Sequence, residues 1–447
     1  MSRTTTAEQF ADWTYHPELL ARPVPRYTSY PTAAEFTEES FELRQRISLA
    51  SLTGPVSIYL HIPYCEEICW YCGCNTGAAN KRHRLTAYLE ALHREIALVA
   101  ELLDPSVRIE HIAFGGGSPN AVPPTEFVRL IDALVLAFRF VRPALSVELD
   151  PRTLTRDWLT AIRGIGVTRV SLGVQTLNPA VQAAIGRVQP IGMIERAVSG
   201  LRGAGVGSIN FDLMYGLPKQ DDTALAETLS QAAAMRPERI ALFGYAHVPH
   251  MIPRQRRIDG SDLPDQRGRF RMAAMGARQL MDAGYQAVGF DHFAVPGDPL
   301  ARAALNGTLR RNFQGFTEDS ASVLIGLGAS AISELPGLMV QNEKNPGRYR
   351  MLIGADHLAG RKGIETGPED ERRAALIEAL LCKGAAKIDA DLLRAARERL
   401  EPFAAAGLVS LERGWLRLKA GAAPYARAIA AVFDAYRTEE RSFSSAI

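Results

Sequence analysis

Apolar and polar positions follow two alternating periods along most of the chain. Short apolar runs rich in β-branched and aromatic residues, typical of buried strands, alternate with stretches that have the apolar spacing of amphipathic helices. The expected strands are residues 56–61, 109–114, 145–150, 167–174, 208–214, 240–246 and 285–290, and the expected helices include 84–103, 125–137 and 191–203. Strand–helix units of this length predict an α/β fold with right-handed crossovers and a parallel, barrel-like sheet.

The two ends of the chain have different patterns. Residues 1–38 contain several prolines without clear periodicity, which predicts an arm packed over the barrel domain at 39–359. Residues 360–447 are rich in Ala, Leu, Arg and Glu, and they predict helices at 374–382, 390–406 and 425–436 with a hairpin at 408–418. This order predicts a mainly helical, winged-helix-like C-terminal domain. Arg and Glu alternate through 394–401 without the basic stripe of a DNA reader, so a lid over the barrel is the favoured interpretation.

Composition narrows the functional classes. The 447 residues include 51 basic and 49 acidic side chains, a net charge of +2, and 47% are hydrophobic. These values exclude a disordered or fibrous protein and argue against bulk nucleic-acid binding. The best membrane-span candidate, 130–141, is shorter than about 18 residues and contains Asp132 and Arg139. Residues 1–8 are polar, unlike a signal peptide. We therefore expect a cytoplasmic protein without a membrane span or nucleic-acid partner.

The cysteines give the clearest chemical signal. Four of the five, Cys65, Cys69, Cys72 and Cys74, lie within ten residues, while Cys382 lies in an apolar helix. A reducing compartment argues against disulfides, so a metal site is the better interpretation. The Cys-x3-Cys-x2-Cys spacing supplies three thiolates, one short of completing a four-iron cluster, which leaves one iron open to a ligand. Zinc is the alternative, but it usually takes two separated pairs of ligands. Cys74 is expected to be a neighbour of the cluster.

The cysteine segment at 59–74, Tyr-Leu-His-Ile-Pro-Tyr-Cys-x3-Cys-Trp-Tyr-Cys-Gly-Cys, resembles that of radical S-adenosylmethionine (SAM) enzymes. More narrowly, it resembles the oxygen-independent coproporphyrinogen III oxidases. Further segments similar to this family, in the family's order, are 25–32, 210–220, 244–249, 291–294, 311–315 and 443–447. The resemblance covers nearly the whole chain and implies a partial rather than a closed barrel.

The resemblance also implies a reaction. Cys65, Cys69 and Cys72 would hold a [4Fe–4S] cluster, and SAM would chelate its fourth iron. Cleavage of SAM would give a 5′-deoxyadenosyl radical that takes a hydrogen from a propionate of coproporphyrinogen III. Loss of CO2 and an electron would leave a vinyl group, and two rounds would give protoporphyrinogen IX. The reaction needs an electron donor and a terminal acceptor but no side-chain general base. We expect a monomer.

Several residues near the predicted strand ends fit such a site. Gly115–Gly117 would let backbone approach a ligand closely, although the triplet fits a simple tight turn equally well. Glu148 and Asp150 could equally form a strand-end salt bridge. The resemblance implies that SAM, including a second molecule of it, contacts Tyr59, Tyr71, Gly116, Gly117, Ser118, Glu148, Gln175, Arg187, Asp212, Ala246 and Ile332.

A tetrapyrrole with four propionates calls for arginines, whose planar guanidinium groups bind carboxylates through two parallel hydrogen bonds. The expected substrate contacts are Arg26, Arg311 and Gln314, with Arg311 favoured because it lies in a family-like motif. The group at 254–257 fits either a substrate contact or a solvated loop. The histidines at 61, 247, 250 and 292 are more simply hydrogen-bonded core or rim residues than metal ligands.

Three alternatives remain at this point. A haem-binding chaperone of the same superfamily would typically lack the arm motif at 26–31 and the fourth cysteine, both present here. A methyl-transferring or haem-opening radical enzyme would share the cluster and SAM positions. A zinc-stabilised structural protein would contain no iron. Haem binding, product mass and iron content distinguish them.

Overall fold

The structure, a computed structural model, describes residues 13–79, 82–138 and 143–437. The similarity segment at 443–447 and the first twelve residues of the predicted arm lie outside the described residues. The strands, in chain order, are β1 (Thr37–Glu38), β2 (Pro55–Ile62), β3 (Tyr64–Cys65), β4 (Gly77–Ala78), β5 (Arg108–Gly116), β6 (Ala144–Leu149), β7 (Arg169–Gln175), β8 (Ser208–Tyr215), β9 (Arg239–Gly244), β10 (Gln286–Val288), β11 (His292–Ala294), β12 (Arg310–Asn312), β13 (Gly315–Thr317), β14 (Leu324–Leu327), β15 (Ile332–Leu335), β16 (Leu338–Asn342), β17 (Gly360–Glu365), β18 (Ala385–Lys387), β19 (Val409–Glu412) and β20 (Trp415–Leu418).

The α-helices of the described residues, in chain order, are α1 (Pro17–Leu20), α2 (Glu42–Ala50), α3 (Arg82–Leu102), α4 (Pro124–Phe138), α5 (Arg156–Ile165), α6 (Pro179–Ala184), α7 (Ile191–Gly203), α8 (Asp222–Ala234), α9 (Gln266–Asp282), α10 (Pro299–Asn306), α11 (Pro346–Gly354), α12 (Pro368–Lys383), α13 (Ala390–Ala405) and α14 (Ala426–Ala430).

One large sheet organises the molecule. Its order is β1-β17-β16-β15-β14-β2-β5-β6-β7-β8-β9-β11-β10. Neighbours from β14 through β9 pair in parallel, whereas the pairs at both margins are antiparallel. The order begins at β1 and ends at β10 without closing on itself. The predicted α/β fold with a partial parallel barrel is therefore confirmed.

Burial explains this arrangement. The middle strands carry nearly continuous apolar runs because parallel strands are covered on both faces. Successive parallel strands are joined by helices, and each helix buries one apolar stripe. In α3, for example, the buried positions include Leu85, Leu89, Leu92 and Ile96, at the three- and four-residue spacing of one helix face.

Ion pairs hold the amino-terminal end of the sheet together. The Glu318 carboxylate contacts Nη1 of Arg169 at 2.5 Å and Nη2 of Arg239 at 3.0 Å. Arg239 also contacts Asp298 at 2.8 Å. These groups lie where β7 and β9 begin, so this end of the sheet is a structural element rather than a ligand site.

The structure differs from the predicted elements in three places. The expected strand at 285–290 is only the three-residue β10, which forms an antiparallel hairpin with β11 through Gly289 at φ +62°. Strands β14 to β17 were not predicted, because glycines and a Pro-Gly turn interrupt their apolar pattern. The expected helix at 425–436 is shorter, since α14 is flanked by 3-10 turns at 423–425 and 431–433.

The C-terminal part has the predicted winged-helix-like order. Helices α12 and α13 enclose β18, which pairs with the hairpin of β19 and β20. The N-terminal arm crosses to this part, since the hydroxyl of Tyr27 donates to Asp434 at 2.8 Å. The division into 1–38, 39–359 and 360–447 remains a prediction. Strand β17 belongs to the central sheet, so a boundary after Glu365 agrees better with the pairing.

Candidate active site

A cavity of about 510 Å³ opens at the carboxyl ends of the central parallel strands. Its volume falls in the range of about 300–1,000 Å³ that is usual for ligand sites. Most of the predicted site residues line it, namely Arg26, Cys65, Cys69, Tyr71, Cys72, Gly116, Gly117, Ser118, Glu148, Gln175, Arg187, Asp212 and Ala246. Residues from separate strands meet here because parallel strands end at the same edge of the sheet.

The cysteine loop is fixed to the barrel by backbone hydrogen bonds. The amide of Ala79 donates to the carbonyl of Cys65 at 2.8 Å, and the amide of Trp70 donates to the carbonyl of Ile185 at 3.1 Å. The side-chain amide of the buried Gln255 donates to the carbonyl of Tyr71 at 2.8 Å. Anchoring at these points directs the thiols into the cavity.

The thiols fit a multinuclear cluster better than a single ion. Zinc at about 2.3 Å from each sulfur would bring the thiolates within about 4 Å of one another. Among the described residues, a set of three potential metal ligands whose ligand atoms all lie within 4.8 Å of one another occurs at Glu110, His111 and Asp319, near the start of β5, and not at the cysteines. The sulfurs of Cys65, Cys69 and Cys72 are thus farther apart than one ion requires, although they share one cavity.

The electrostatics of the thiols agree with a cationic centre between them. Burial, with smaller contributions from the neighbouring Cys72 and Cys69, raises the pKa of Cys65 to about 12. Hydrogen bonds from Cys74 lower the pKa of Cys72, and its amide lies 3.4 Å from the Cys72 sulfur. Three thiolates, one of them buried and two half-buried, therefore need positive charge beside them, which an iron–sulfur cluster would supply.

Two guanidinium groups add positive charge to the loop. Arg152 and Arg187 lie 3.3 and 3.2 Å from the sulfur of Cys69. Both also contact the carboxylate of Asp150, at 2.6 and 3.2 Å. Burial alone would raise the pKa of Asp150, but the two arginines outweigh it and lower the pKa. Sequence reasoning missed Arg152, although the Asp-Pro-Arg order directly after a strand was a signal.

The glycine triplet makes a close approach that side chains would block. A Cβ at residue 115 would lie 2.6 Å from the carboxylate of Glu148, and one at Gly116, at φ +105°, would lie 2.5 Å from Nδ1 of His61. The amide of Gly117 donates to the carbonyl of Ile62 at 2.8 Å. The triplet thus brings the end of β5 against the cysteine loop, beyond what a simple turn requires.

Two half-buried carboxyl groups, those of Glu148 and Asp212, line the same cavity as the cysteines. Burial and, to a smaller extent, the neighbouring Asp212 raise the pKa of Glu148 to about 7, while the amide of Gly116 donates to its carboxylate at 3.2 Å. Burial also raises the pKa of Asp212, although Ser171 donates to it at 2.7 Å. Gln175 has φ +65°, a left-handed conformation that is costly for a side chain other than glycine. Such strain is typical of ligand sites.

Four predicted site residues do not line this cavity. The hydroxyl of Tyr59 lies 3.1 Å from Nδ1 of His61, and Ile332 lies at the start of β15. Arg311 donates to the carbonyls of Tyr27 and Arg26 at 3.0 and 3.2 Å, so it holds the arm. Gln314 is exposed between β12 and β13.

The structure also locates an arginine and two histidines that the sequence analysis singled out. Arg254 lines the cavity and donates to the hydroxyl of Thr76 at 3.0 Å. Burial lowers the pKa of His61 to about 4. His292 lies 2.6 Å from Asp291, as expected for a hydrogen-bonded rather than metal-binding histidine.

Within the described ranges, no helix combines the length and apolarity needed to cross a bilayer.

Comparisons with known proteins agree with this geometry. The radical SAM superfamily model matches residues 59–232. An oxygen-independent coproporphyrinogen III oxidase of Bradyrhizobium diazoefficiens is 42% identical over 92% of this chain and 94% of its own length. One from Paracoccus denitrificans is 39% identical over 96% of this chain and 98% of its own length.

A solved structure gives the same result. Coproporphyrinogen III oxidase from Escherichia coli, described as a radical SAM enzyme, matches with a TM-score of 0.90 and 34% identity. The match covers 95% of this chain and 100% of that one. The resemblance inferred from the cysteine loop and the scattered motifs is thereby confirmed. The chain belongs to the oxygen-independent coproporphyrinogen III oxidases of the radical SAM superfamily.

Proposed function

We propose that this protein converts coproporphyrinogen III to protoporphyrinogen IX by oxygen-independent oxidative decarboxylation of two propionates to vinyl groups, a step of haem biosynthesis. The observation that carries the proposal is similarity along nearly the whole chain to enzymes named for this oxidation, at 42% identity over 92% of the chain for one of them. The protein is accordingly an oxidoreductase that uses a [4Fe–4S] cluster and SAM.

When bound, the cluster and SAM would supply the radical chemistry that removes a hydrogen atom from the propionate. The protein's own residues bind and orient the reactants. We assign the cluster to Cys65, Cys69 and Cys72, which share the cavity wall. Arg152 and Arg187 offset the charge of the thiolates from beside Cys69.

We assign SAM to the other residues that line this cavity. Backbone at Gly116, Gly117 and Ser118 can approach its amino and carboxylate groups closely, since no side chain intervenes at the glycines. We assign Glu148 and Asp212, which line the same cavity, to accept hydrogen bonds from the ribose hydroxyls. The remaining proposed SAM contacts, including those to a second SAM molecule, are Tyr59, Tyr71, Gln175, Arg187, Ala246 and Ile332.

For the substrate, the arm supplies the best-placed cation. Arg26 lines the cavity, and its guanidinium donates to the carbonyl of Gly244 at 3.2 Å. Arg311 donates to the backbone of Arg26, so we propose that it supports substrate binding by fixing the arm. Gln314 remains a proposed contact only for a substrate that extends to the hairpin of β12 and β13. We further propose that the protein acts as a cytoplasmic monomer with separate electron donor and acceptor.

An anaerobic incubation of the reconstituted protein tests this function. Reductant, SAM and coproporphyrinogen III are supplied, and the tetrapyrrole is followed by mass spectrometry. The proposal predicts successive loss of CO2 and two hydrogens from two side chains. A gain in mass by methylation, or stable haem binding without any turnover, would contradict it and favour one of the related radical enzymes or a haem carrier.

A further inference from the structure

Arg152 joins the cysteine loop to the barrel. Its guanidinium donates through Nη1 to the carboxylate of Glu67 at 2.6 Å and through Nη2 to the sulfur of Cys69 at 3.3 Å. Both partners belong to the cysteine loop, whereas Arg152 lies in the turn that follows β6. Among the described residues that line the cavity, Arg187 is present and Arg152 is not. Arg152 therefore contacts a proposed cluster ligand without facing the space assigned to SAM.

The turn after β6 holds this guanidinium in place. The carboxylate of Asp150 accepts from the backbone amide of Arg152 at 3.0 Å, from its Nε at 3.0 Å and from its Nη2 at 2.6 Å. Asp150 is held in turn by Asn120, whose side chain donates to its carbonyl at 2.8 Å and accepts from its amide at 3.0 Å. The planar group is thus oriented toward the loop in advance, so little conformational freedom is lost in making the contacts.

Burial gives the contact with sulfur its weight. Cys69 is 6% exposed and the side chain of Arg152 is also 6% exposed, whereas Cys65 and Cys72 are half-buried. A hydrogen bond between charged groups is stronger where water is excluded. The sulfur of Cys72, by comparison, accepts from the backbone amide of Cys74 at 3.4 Å. The charge on Cys69 is therefore the one that a buried cation stabilises.

Such a contact influences electron transfer as well as the position of the loop. Hydrogen bonds to the ligand sulfurs are among the factors that set the reduction potential of an iron–sulfur cluster. One-electron reduction adds negative charge beside the donor, so an N–H donated to sulfur stabilises the reduced form more than the oxidised form.

Arg187 and Arg152 differ in what else they contact. Arg187 donates to the same sulfur at 3.2 Å, but it lines the cavity and is a proposed SAM contact. Replacing Arg187 would therefore change SAM binding together with the potential. Replacing Arg152 separates the two effects, because this side chain does not line the cavity.

We infer that Arg152 is a positioning residue that raises the reduction potential of the cluster by donating to Cys69, while it fixes the cysteine loop through Glu67. This inference rests on the proposed function, from which it takes the [4Fe–4S] cluster. It assigns control of the electron-transfer step to a side chain outside the cavity wall. The one-electron donor can then be a weaker reductant than an unassisted cluster would need.

The test compares Arg152→Met and Arg152→Lys with Arg156→Met, which removes the same charge from an exposed position at the start of α5. The midpoint potential of each reconstituted protein is measured by anaerobic reductive titration with electron paramagnetic resonance, together with iron content and the Kd of SAM. Arg152→Met should make the reduction equilibrium about tenfold less favourable, as expected for loss of a hydrogen bond to a charged group, which is about 59 mV for one electron.

The other readouts show how Arg152 acts. Arg152→Lys keeps the charge but not the planar fork, so its potential should lie between those of wild type and Arg152→Met. The Arg156→Met control should have the wild-type potential, and iron content and the Kd of SAM should stay unchanged throughout. A merely structural role for Arg152 would change iron content without moving the potential of the cluster that remains.

An unchanged midpoint potential in Arg152→Met would overturn the inference. An equal shift in Arg156→Met would also overturn it, because charge alone would then explain the effect. Loss of iron from both variants of Arg152 would leave this residue as a support for the loop and overturn its role in the potential. If only Arg152→Met lost iron, a lowered potential in Arg152→Lys would support the inference and a wild-type potential would overturn it.

The potential is measured without tetrapyrrole, so failure of the inference and failure of the proposed function can be distinguished. Wild-type protein that does not convert coproporphyrinogen III, with the expected differences in potential, would refute the reaction and support the role of Arg152. Conversion by wild-type protein with equal potentials in all variants would overturn the inference alone. Wild-type protein that takes up no cluster would overturn both.

Discussion

Replacing Asp150 with Asn tests the ion-pair network behind the cysteine loop. The carboxylate of Asp150 is the common partner of Arg152, at 2.6 Å, and Arg187, at 3.2 Å. Its side chain is 9% exposed, and those of the two arginines are 6% and 7% exposed. Asn keeps one oxygen but presents an NH2 group to the donors that now meet the second oxygen.

The magnitude follows from this burial. Removing one partner of a buried ion pair costs about 3–5 kcal/mol, because the remaining charge stays buried without its counter-charge. Asn retains the oxygen that accepts from the amide of Arg152 at 3.0 Å, so we expect the lower end of that range. A loss of about 3 kcal/mol corresponds to a fall in Tm of roughly 3 °C for a chain of this size.

The assay is thermal unfolding of the reconstituted protein under anaerobic conditions, with Asp222→Asn as the control. Asp222 contacts Arg271 at the same 2.6 Å, but these side chains are 37% and 64% exposed. Exposed pairs contribute about 0–1 kcal/mol, so the control should change Tm by about 1 °C or less.

Equal changes in the two variants would refute the reasoning, since burial would then make no difference to the pair. A higher Tm for Asp150→Asn would also refute it. Such a result would mean that the desolvation cost of these three charges exceeds their mutual attraction in the folded protein.

Three further predictions concern the barrel and the cysteine loop. The arginine partners of Glu318 outweigh burial and lower its pKa to about 2, so Glu318→Gln should lower the free energy of unfolding by about 3 kcal/mol near pH 7. This difference from wild type should shrink between about pH 4.5 and pH 2, and a pH-independent difference in denaturant unfolding would contradict the prediction. Gly117→Ala places a methyl group 2.7 Å from the backbone nitrogen of Tyr64, next to the cysteine loop, and should abolish SAM cleavage. In the control Gly203→Ala, the added methyl group meets nothing within 4 Å, so cleavage should stay intact. Normal 5′-deoxyadenosine formation by Gly117→Ala would exclude a close backbone approach at this position. Cys74→Ser should retain about four irons per chain, and loss of iron–sulfur absorption in this variant would make Cys74 a ligand.

The parallel core could be predicted from sequence because its signals are local. Each middle strand is a short apolar run followed by an amphipathic helix, and burial on both faces requires that pattern. The cysteine spacing likewise lies within one loop, so its chemistry could be inferred without knowledge of the fold. Placing Glu148 and Asp212 in one cavity needed only the rule that parallel strands end at the same edge.

Long-range contacts were beyond such reasoning. Arg311 lies in a family-like motif and was expected to bind substrate, yet its guanidinium contacts the carbonyl of Tyr27, 284 residues earlier in the chain. No local pattern indicates that the arm passes there. The position of Arg427 beside Arg26 could not be predicted for the same reason, because it depends on how the C-terminal part packs against the barrel.

The central claim is radical decarboxylation of a propionate, and isotope transfer tests it most directly. Coproporphyrinogen III deuterated at the β-carbons of its propionates would be incubated anaerobically with reconstituted protein, SAM and reductant. The account predicts deuterium in 5′-deoxyadenosine together with formation of protoporphyrinogen IX. Unlabelled 5′-deoxyadenosine with unchanged tetrapyrrole, from protein with an intact cluster, would contradict it.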